Sequence, residues 1–312
     1  MVSTWLRLAV AAFVLLVSQP ARAGGQDTCV PSVSGDLRIE TLTSAVYQRD
    51  ITMRVWLPPG YADGPADRTY PTLYMLDGQG AFDNCTAFKG EQELRLDETV
   101  LALIAAGTIP AVVIVGIDSG TSRNQEYAAY NNPVTDASAP EPRGKLLPRF
   151  FADEVVPFVR SRYRVTKDPG QTGIGGCSLG AAGALWVSLH RPDLFGLALL
   201  QSPSLLLGNG QLLRDTAMLA RAPDRIAIGV GTSELDFPDI DAYLRPFRLE
   251  RSEAEKGGLE MTERLANNLR SAYIKRSEVM FVVEPSANHS SRFWAGRMAA
   301  ALTFLYGAHP KR

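Results

Sequence analysis

Gly176-Cys177-Ser178-Leu179-Gly180 sets a serine between small residues in the pattern G-x-S-x-G, after the apolar run Gln171–Gly176 and before Ala181-Ala182-Gly183-Ala184. A strand that must turn at once into a helix needs small neighbours, and such a turn leaves the serine hydroxyl exposed as a nucleophile. A Gly-rich turn could instead cradle a phosphate, but the G-x-x-x-x-G-K-[ST] and G-x-G-x-x-G spacings are absent here. A serine hydroxyl attacks poorly until a base takes its proton. Only His190, His289 and His309 are available. His190 ends the helix that starts beside Ser178, roughly 18 Å along its axis by helical rise, and His309 is near the chain end. His289, in the loop Pro285–Ser290, is the expected base.

The base needs an acid to orient it and to stabilise its positive charge. The run Arg225–Val230 ends in Gly231-Thr232-Ser233-Glu234-Leu235-Asp236. Glu234 comes first and is the expected acid, with Asp236 as the alternative. A developing oxyanion needs backbone N–H donors. One is expected from Leu179, after the nucleophile, and one from Asp77-Gly78-Gln79-Gly80, where glycines let the backbone approach a substrate oxygen.

These residues must be held by elements whose periodicity is visible. Runs of strand length occur at Ile51–Leu57, Pro71–Leu76, Ala111–Ile117, Gln171–Gly176, Leu197–Gln201, Arg225–Val230 and Val279–Glu284. Helical spacing occurs at Gln92–Ala106, Leu146–Tyr163, Leu179–His190, Gln211–Ala220, Leu259–Lys275 and Ser291–Tyr306. Fully apolar strands alternating with helices predict an α/β fold, a mostly parallel sheet with helices on both faces. The stretches Ser119–Arg143 and Leu235–Gly258 read as long loops beyond the carboxyl ends of strands, where open α/β sheets bind ligands.

Arg7, the apolar run Leu8–Val17 and Ala21-Arg22-Ala23 read as a signal peptide over residues 1–23, with one catalytic domain over 24–312. An apolar run of about ten residues is too short for a spanning helix, which needs about 20. The mature protein is therefore expected to be secreted or periplasmic, with no stable membrane insertion. Cleavage removes two arginines and no acids, taking the formal net charge from −1 to −3, so nucleic acid is excluded as a partner. An oxidising compartment would let Cys29 and Cys85 pair, while Cys177 reads as a small buried hydrophobe. With three histidines and three cysteines, no metal ligand set and no cofactor is expected.

Further segments extend the pattern. Arg54-Val55-Trp56-Leu57-Pro58-Pro59-Gly60-Tyr61, Tyr74-Met75-Leu76-Asp77-Gly78-Gln79 with Phe82, and Phe151-Ala152-Asp153-Glu154-Val155-Val156-Pro157 closing with Tyr163-Arg164 together resemble the "putative esterase" family of α/β hydrolases. That family includes enterochelin esterases, feruloyl esterases, S-formylglutathione hydrolase and the mycolyltransferases. The resemblance spans about Ile39 to Leu305. Gly116-Ile117-Asp118, Arg123 with Glu126-Tyr127, and Ser202-Pro203-Ser204 look most like its siderophore-esterase branch. It implies an α/β-hydrolase fold, Ser178 as nucleophile, His289 as base, Glu234 as acid, and Gln79 with Leu179 as oxyanion donors. It further implies a serine esterase, exported if the leader is cleaved as above, working through an acyl-enzyme on a small-molecule ester such as a siderophore lactone, without metal or organic cofactor. Acyl transfer, feruloyl or thioester hydrolysis, and a noncatalytic binding role on the same scaffold are the alternatives. Ala181 replaces a second glycine common in the elbow, and Leu205-Leu206 stand where aromatics often follow Ser-Pro-Ser. Arg123 could grip an anionic group of the substrate or pair with Glu126 to brace its loop. Arg245, Arg248 and Arg251 could face the same anion or form a solvated surface.

Overall fold

The computed structural model describes residues 29–131, 141–245 and 249–308. The leader expected over residues 1–23, together with His309 and Arg248, lies outside them. Among the described residues the sheet has eight strands: β1 (Asp36–Ser44), β2 (Arg49–Leu57), β3 (Thr72–Leu76), β4 (Val113–Ile117), β5 (Thr172–Cys177), β6 (Leu197–Gln201), β7 (Arg225–Gly231) and β8 (Glu278–Glu284). Their order is β1-β2-β4-β3-β5-β6-β7-β8. β2 pairs antiparallel with β1 and β4, and every pairing from β4 to β8 is parallel. This is the α/β-hydrolase arrangement.

The nine α-helical segments of the described residues are α1 (Leu96–Ala105), α2 (Arg123–Tyr127), α3 (Leu147–Phe150), α4 (Val156–Arg162), α5 (Leu179–His190), α6 (Leu207–Asp215), α7 (Ile240–Leu244), α8 (Arg251–Arg270) and α9 (Ser291–Tyr306). Successive strand residues point to opposite faces, so the central strands are apolar throughout because both faces are covered. Tyr74, Ile174, Leu200 and Ile228 pack with α5 and Phe151 on one face. Leu73, Met75, Ile114 and Leu199 pack with α1 and α9 on the other.

Several boundaries differ from the sequence pattern, each for a local reason. β1 is an edge strand whose apolar alternation changes phase between Ile39, which is exposed, and Leu42, which is buried. No single-face pattern therefore marks it. The expected helix Leu146–Tyr163 is α3 and α4 joined by the π-helical turn Phe151–Val155. Pro157 has no N–H to give an α-helical bond there. α8 starts at Arg251, within the stretch expected to be a loop, and passes through Gly257-Gly258. Burial of Ala254, Gly257, Thr262 and Leu265 on one side of that helix offsets the weak helical preference of two glycines.

Cys29 and Cys85 are joined, and Cys177 is a free, buried cysteine. Burial pushes the Cys177 thiol up, away from the thiolate form. The disulfide closes a loop across a sequence separation of 56, worth about 4 kcal/mol in the chain-entropy account. Cys85→Ser is expected to lower Tm by roughly 10 °C in a non-reducing thermal melt. The reducing agent that costs the wild type the same shift should leave the variant unchanged.

Candidate active site

The site forms where three loops meet beyond the carboxyl ends of β5, β7 and β8. Ser178 stands between β5 and α5 with φ 55 and ψ −121, a backbone conformation a non-glycine residue holds only when its surroundings impose it. The Ser178 N–H donates to Gln201 O at 2.8 Å and its carbonyl accepts from Ser204 N at 3.1 Å. Glycine at position 180 is a matter of space: a Cβ there would lie 2.9 Å from Asp77 Oδ2. The elbow thus presses against the turn that follows β3.

Ser178 Oγ lies 2.8 Å from His289 Nε2, and His289 Nδ1 lies 2.5 Å from Glu234 Oε2. The other carboxylate oxygen of Glu234 accepts from Gly231 N at 2.6 Å and from Ser202 Oγ at 2.7 Å. Burial pushes the Glu234 carboxyl up, but hydrogen bonds from His289, Ser202 and Gly231 outweigh it and hold the group below the usual glutamate range. Asp236 is placed elsewhere: it is exposed and paired with Arg251 at 3.1 Å. His190 bonds Trp186 O and stacks on the Trp186 ring. The loops carrying Glu234 and His289 are stitched together by Ser233 N to Ala287 O at 3.0 Å and Thr232 N to Glu284 O at 3.1 Å. Gly231 permits this contact, since a Cβ there would come 2.1 Å from Ala287 O.

Three residues that carry no signal as reactive groups support the Glu234 carboxylate. Ser202, itself at φ 46, accepts from Trp294 Nε1 at 3.0 Å and from Arg297 Nη2 at 3.3 Å while donating to Glu234. Arg297 is buried and also bonds Gln201 and Glu284. Trp294 sets its ring edge-to-face against His289, with centroids 5.0 Å apart. Only the Ser202-Pro203-Ser204 resemblance hinted at this support. Trp294 and Arg297 sit on an ordinary amphipathic helix.

Leu179 opens α5, and Gln79 lies in the short 3-10 turn Gly78–Gly80. The Gln79 side chain is clamped by Ser119, whose N–H donates to Oε1 at 3.0 Å and whose hydroxyl accepts from Nε2 at 2.7 Å. Arg123 departs from both expectations. Its guanidinium grips Asp77 with two 2.7 Å bonds, while Glu126 pairs with Arg49. Asp77 is in the left-handed region at φ 61, next to Gln79 and against Gly180, so Arg123 braces this turn and does not line the cavity below. Asp77 is buried and forms no other ion pair among the described residues, so the fork balances its charge.

A cavity of about 430 Å³ opens beside Ser178 and His289. Leu205, Leu206, Leu235, Phe237 and Met261 form its apolar wall, and Glu91, Asp239 and Glu255 add carboxylates. No lysine or arginine lines it among the described residues. No described helix is long and apolar enough to cross a membrane.

The sequence profile of the family described as Putative esterase matches residues 44–305. The chain belongs to this family. Its activity class is accordingly that of a carboxylic ester hydrolase, with small-molecule esters as substrates. Among relatives of the esterase, the uncharacterized protein YbbA of Bacillus subtilis is 21% identical over 258 residues, covering 81% of this chain and 91% of YbbA. The iron(III) enterobactin esterase of Dickeya dadantii is 32% identical over 203 residues. That match covers 63% of this chain and 40% of the relative, so the esterase spans less than half the length of that enzyme. Among solved structures, the siderophore hydrolase EstB from Aspergillus nidulans superposes with a TM-score of 0.66 at 18% identity, covering 95% of this chain and 99% of that one.

Two variants separate the candidate acids of the esterase. Glu234→Gln is expected to lower kcat on a small nitrophenyl ester at least about 100-fold, because the histidine loses the partner that fixes its tautomer, and Asp236→Asn to change it less than about twofold. Steady-state kinetics on the folded variants checks this, and the opposite ranking transfers the role to Asp236. Ser202→Ala leaves Glu234 one donor short and Trp294 Nε1 without its acceptor. A kcat lower by about 10-fold at unchanged KM is expected.

Proposed function

We propose that this protein is an exported serine esterase that cleaves carboxylic esters through an acyl-enzyme. The observation that carries the reading is the continuous hydrogen-bonded line from Glu234 through His289 to Ser178 at the mouth of an apolar cavity. Ser178 Oγ attacks the ester carbonyl while its proton passes to His289 Nε2, and Glu234 stabilises the imidazolium. The carbonyl oxygen becomes an oxyanion that the N–H groups of Gln79 and Leu179 stabilise. His289 returns the proton to the departing alcohol, leaving Ser178 acylated. Water, deprotonated by His289, then releases the acid and restores the serine. All of this is done by one catalytic domain that follows a cleaved leader, and the Cys29–Cys85 disulfide supports an oxidising destination outside the cytoplasm.

The same cavity bears on the substrate. The enterobactin esterase of D. dadantii and EstB are named for siderophores, and a siderophore-type ester is the reading these relatives support here. An apolar wall with four carboxylates, Glu234 among them, and no lysine or arginine among the described lining residues favours an uncharged ester, such as an iron-free siderophore lactone, over an anionic iron chelate. Arg123, which could have served an anion, is committed to Asp77.

The test compares a neutral short-chain nitrophenyl ester with its counterpart ending in a carboxylate. The neutral ester is expected to have a kcat/KM at least about 10-fold higher, the effect of one repelled charge, and Ser178→Ala to abolish turnover of both. A preference for the anionic ester would reverse the substrate reading. Retention of more than about a tenth of kcat in Ser178→Ala would reject the mechanism.

A further inference from the structure

The segment leading into α1 carries a second concentration of acids, Glu93, Asp97 and Glu98, none of which lines the cavity at Ser178. Glu93, Asp97 and Glu98 converge so that one carboxylate oxygen of each lies within 4.8 Å of one from each of the others. Glu93 is 3% exposed and Asp97 0%. Glu93 Oε2, Asp97 Oδ1 and Glu98 Oε2 are buried and have no hydrogen-bond partner among the described residues. The remaining oxygen of Asp97 accepts from Ser34 N at 2.6 Å. The nearby cation is Arg95, whose Nε stands 3.7 Å from Glu98 Oε1, but its side chain is 65% exposed and a solvated partner compensates little. Asp83 adds a further negative charge facing Glu93. Three converging carboxyl groups cannot all ionise in such a place without a compensating positive charge.

We propose that Glu93, Asp97 and Glu98 bind a single Ca²⁺ as a structural ion. The donor set is all oxygen, which a hard cation prefers, and lacks the histidine or cysteine that zinc favours. The absence of a histidine or cysteine set in the sequence therefore does not bear on it. Calcium holds oxygens at about 2.3–2.6 Å in flexible geometry, so two donors can stand up to roughly 5 Å apart. The observed convergence fits that limit, and calcium's tolerance suits three donors that come from one loop and helix start.

The ion would tie together parts that meet here. Ser32 and Ser34 lie just past Cys29, and Asp83 accepts from the N–H groups of Ser32 and Cys85. The same loop returns to the turn of Gln79 through Leu94 N to Gly80 O at 2.8 Å and Leu96 N to Ala81 O at 3.1 Å. A cation held by Glu93 and Asp97 thus fastens the disulfide-linked N-terminal strap to the segment that supports the oxyanion turn.

The experiment uses the full mature protein, stripped with a chelator and dialysed above neutral pH. Addition of CaCl2 to about 10 mM, well above the 0.1–1 mM affinity of sites on extracellular modules, is expected to raise Tm by roughly 5 °C. Calorimetric titration should give one Ca²⁺ per chain. Asp97→Asn, which removes a buried charge and so should leave the ion-free fold intact, is expected to abolish both responses, and Glu98→Gln to weaken binding at least about 10-fold. A wild type whose Tm and titration heat do not respond to CaCl2 overturns the proposal and leaves a shared proton to neutralise the cluster. A response that survives both substitutions places the ion elsewhere and overturns it equally. A larger shift with MgCl2 than with CaCl2 overturns the choice of metal.

Discussion

The chain must pass from strand β5 into helix α5 within one residue, and that residue is Ser178. Its backbone sits at φ 55 and ψ −121, an arrangement that costs about 1–3 kcal/mol where the surroundings do not enforce it. Much of the nearby structure does the enforcing. Gln201 and Ser204 hold the backbone of Ser178 from the β6 side, and α5, buried from Leu179 to Ser188, fixes the direction in which the chain leaves. Gly180 lets the turn after β3 close against the elbow, where Arg123 neutralises Asp77. The strain at one serine is thus offset by packing on three sides, which leaves its hydroxyl projecting toward His289.

Charge placement follows from the same requirement for fixed geometry. Glu234 is half-buried yet held in its ionised form because its two oxygens accept bonds from three groups. Ser202 can donate to it because Trp294 and Arg297 supply the donors that Ser202 itself accepts. A carboxylate held in this way reorganises little when the imidazole beside it gains a proton, which is the physical basis of electrostatic preorganisation. The arginines near the site do a different job. Arg54 pairs with Asp118, Arg49 with Glu126 and Arg123 with Asp77. Each balances a carboxylate at the carboxyl edge of the sheet, and none of them lines the cavity among the described residues.

The parts of this design that were legible in sequence are those tied to backbone chemistry. Glycines around Ser178, the order serine, acid, histidine, and apolar strands alternating with helices are local patterns with a direct steric or periodic cause. They led to Ser178, Glu234 and His289, which the fold brings into hydrogen-bond contact. What depends on side-chain pairing across the fold was not legible. The partner of Arg123 lies 46 positions away at Asp77, whereas Glu126 is its neighbour in sequence and faces Arg49. The support given to Glu234 by Trp294 and Arg297 comes from a different helix. The start of α8 is hidden in the sequence because Gly257-Gly258 oppose helix locally, while the burial of Ala254 and Leu265 favours it.

The central claim is that the elbow, His289 and Glu234 make Ser178 a nucleophile, and covalent trapping tests it most directly. The folded protein should be treated with a fluorophosphonate, digested and mapped by mass spectrometry. The account predicts a single stoichiometric adduct on the peptide containing Ser178, and labelling slowed at least about 100-fold in His289→Ala, where the hydroxyl has lost its base. Folded protein that does not label, or an adduct on another residue, would contradict it.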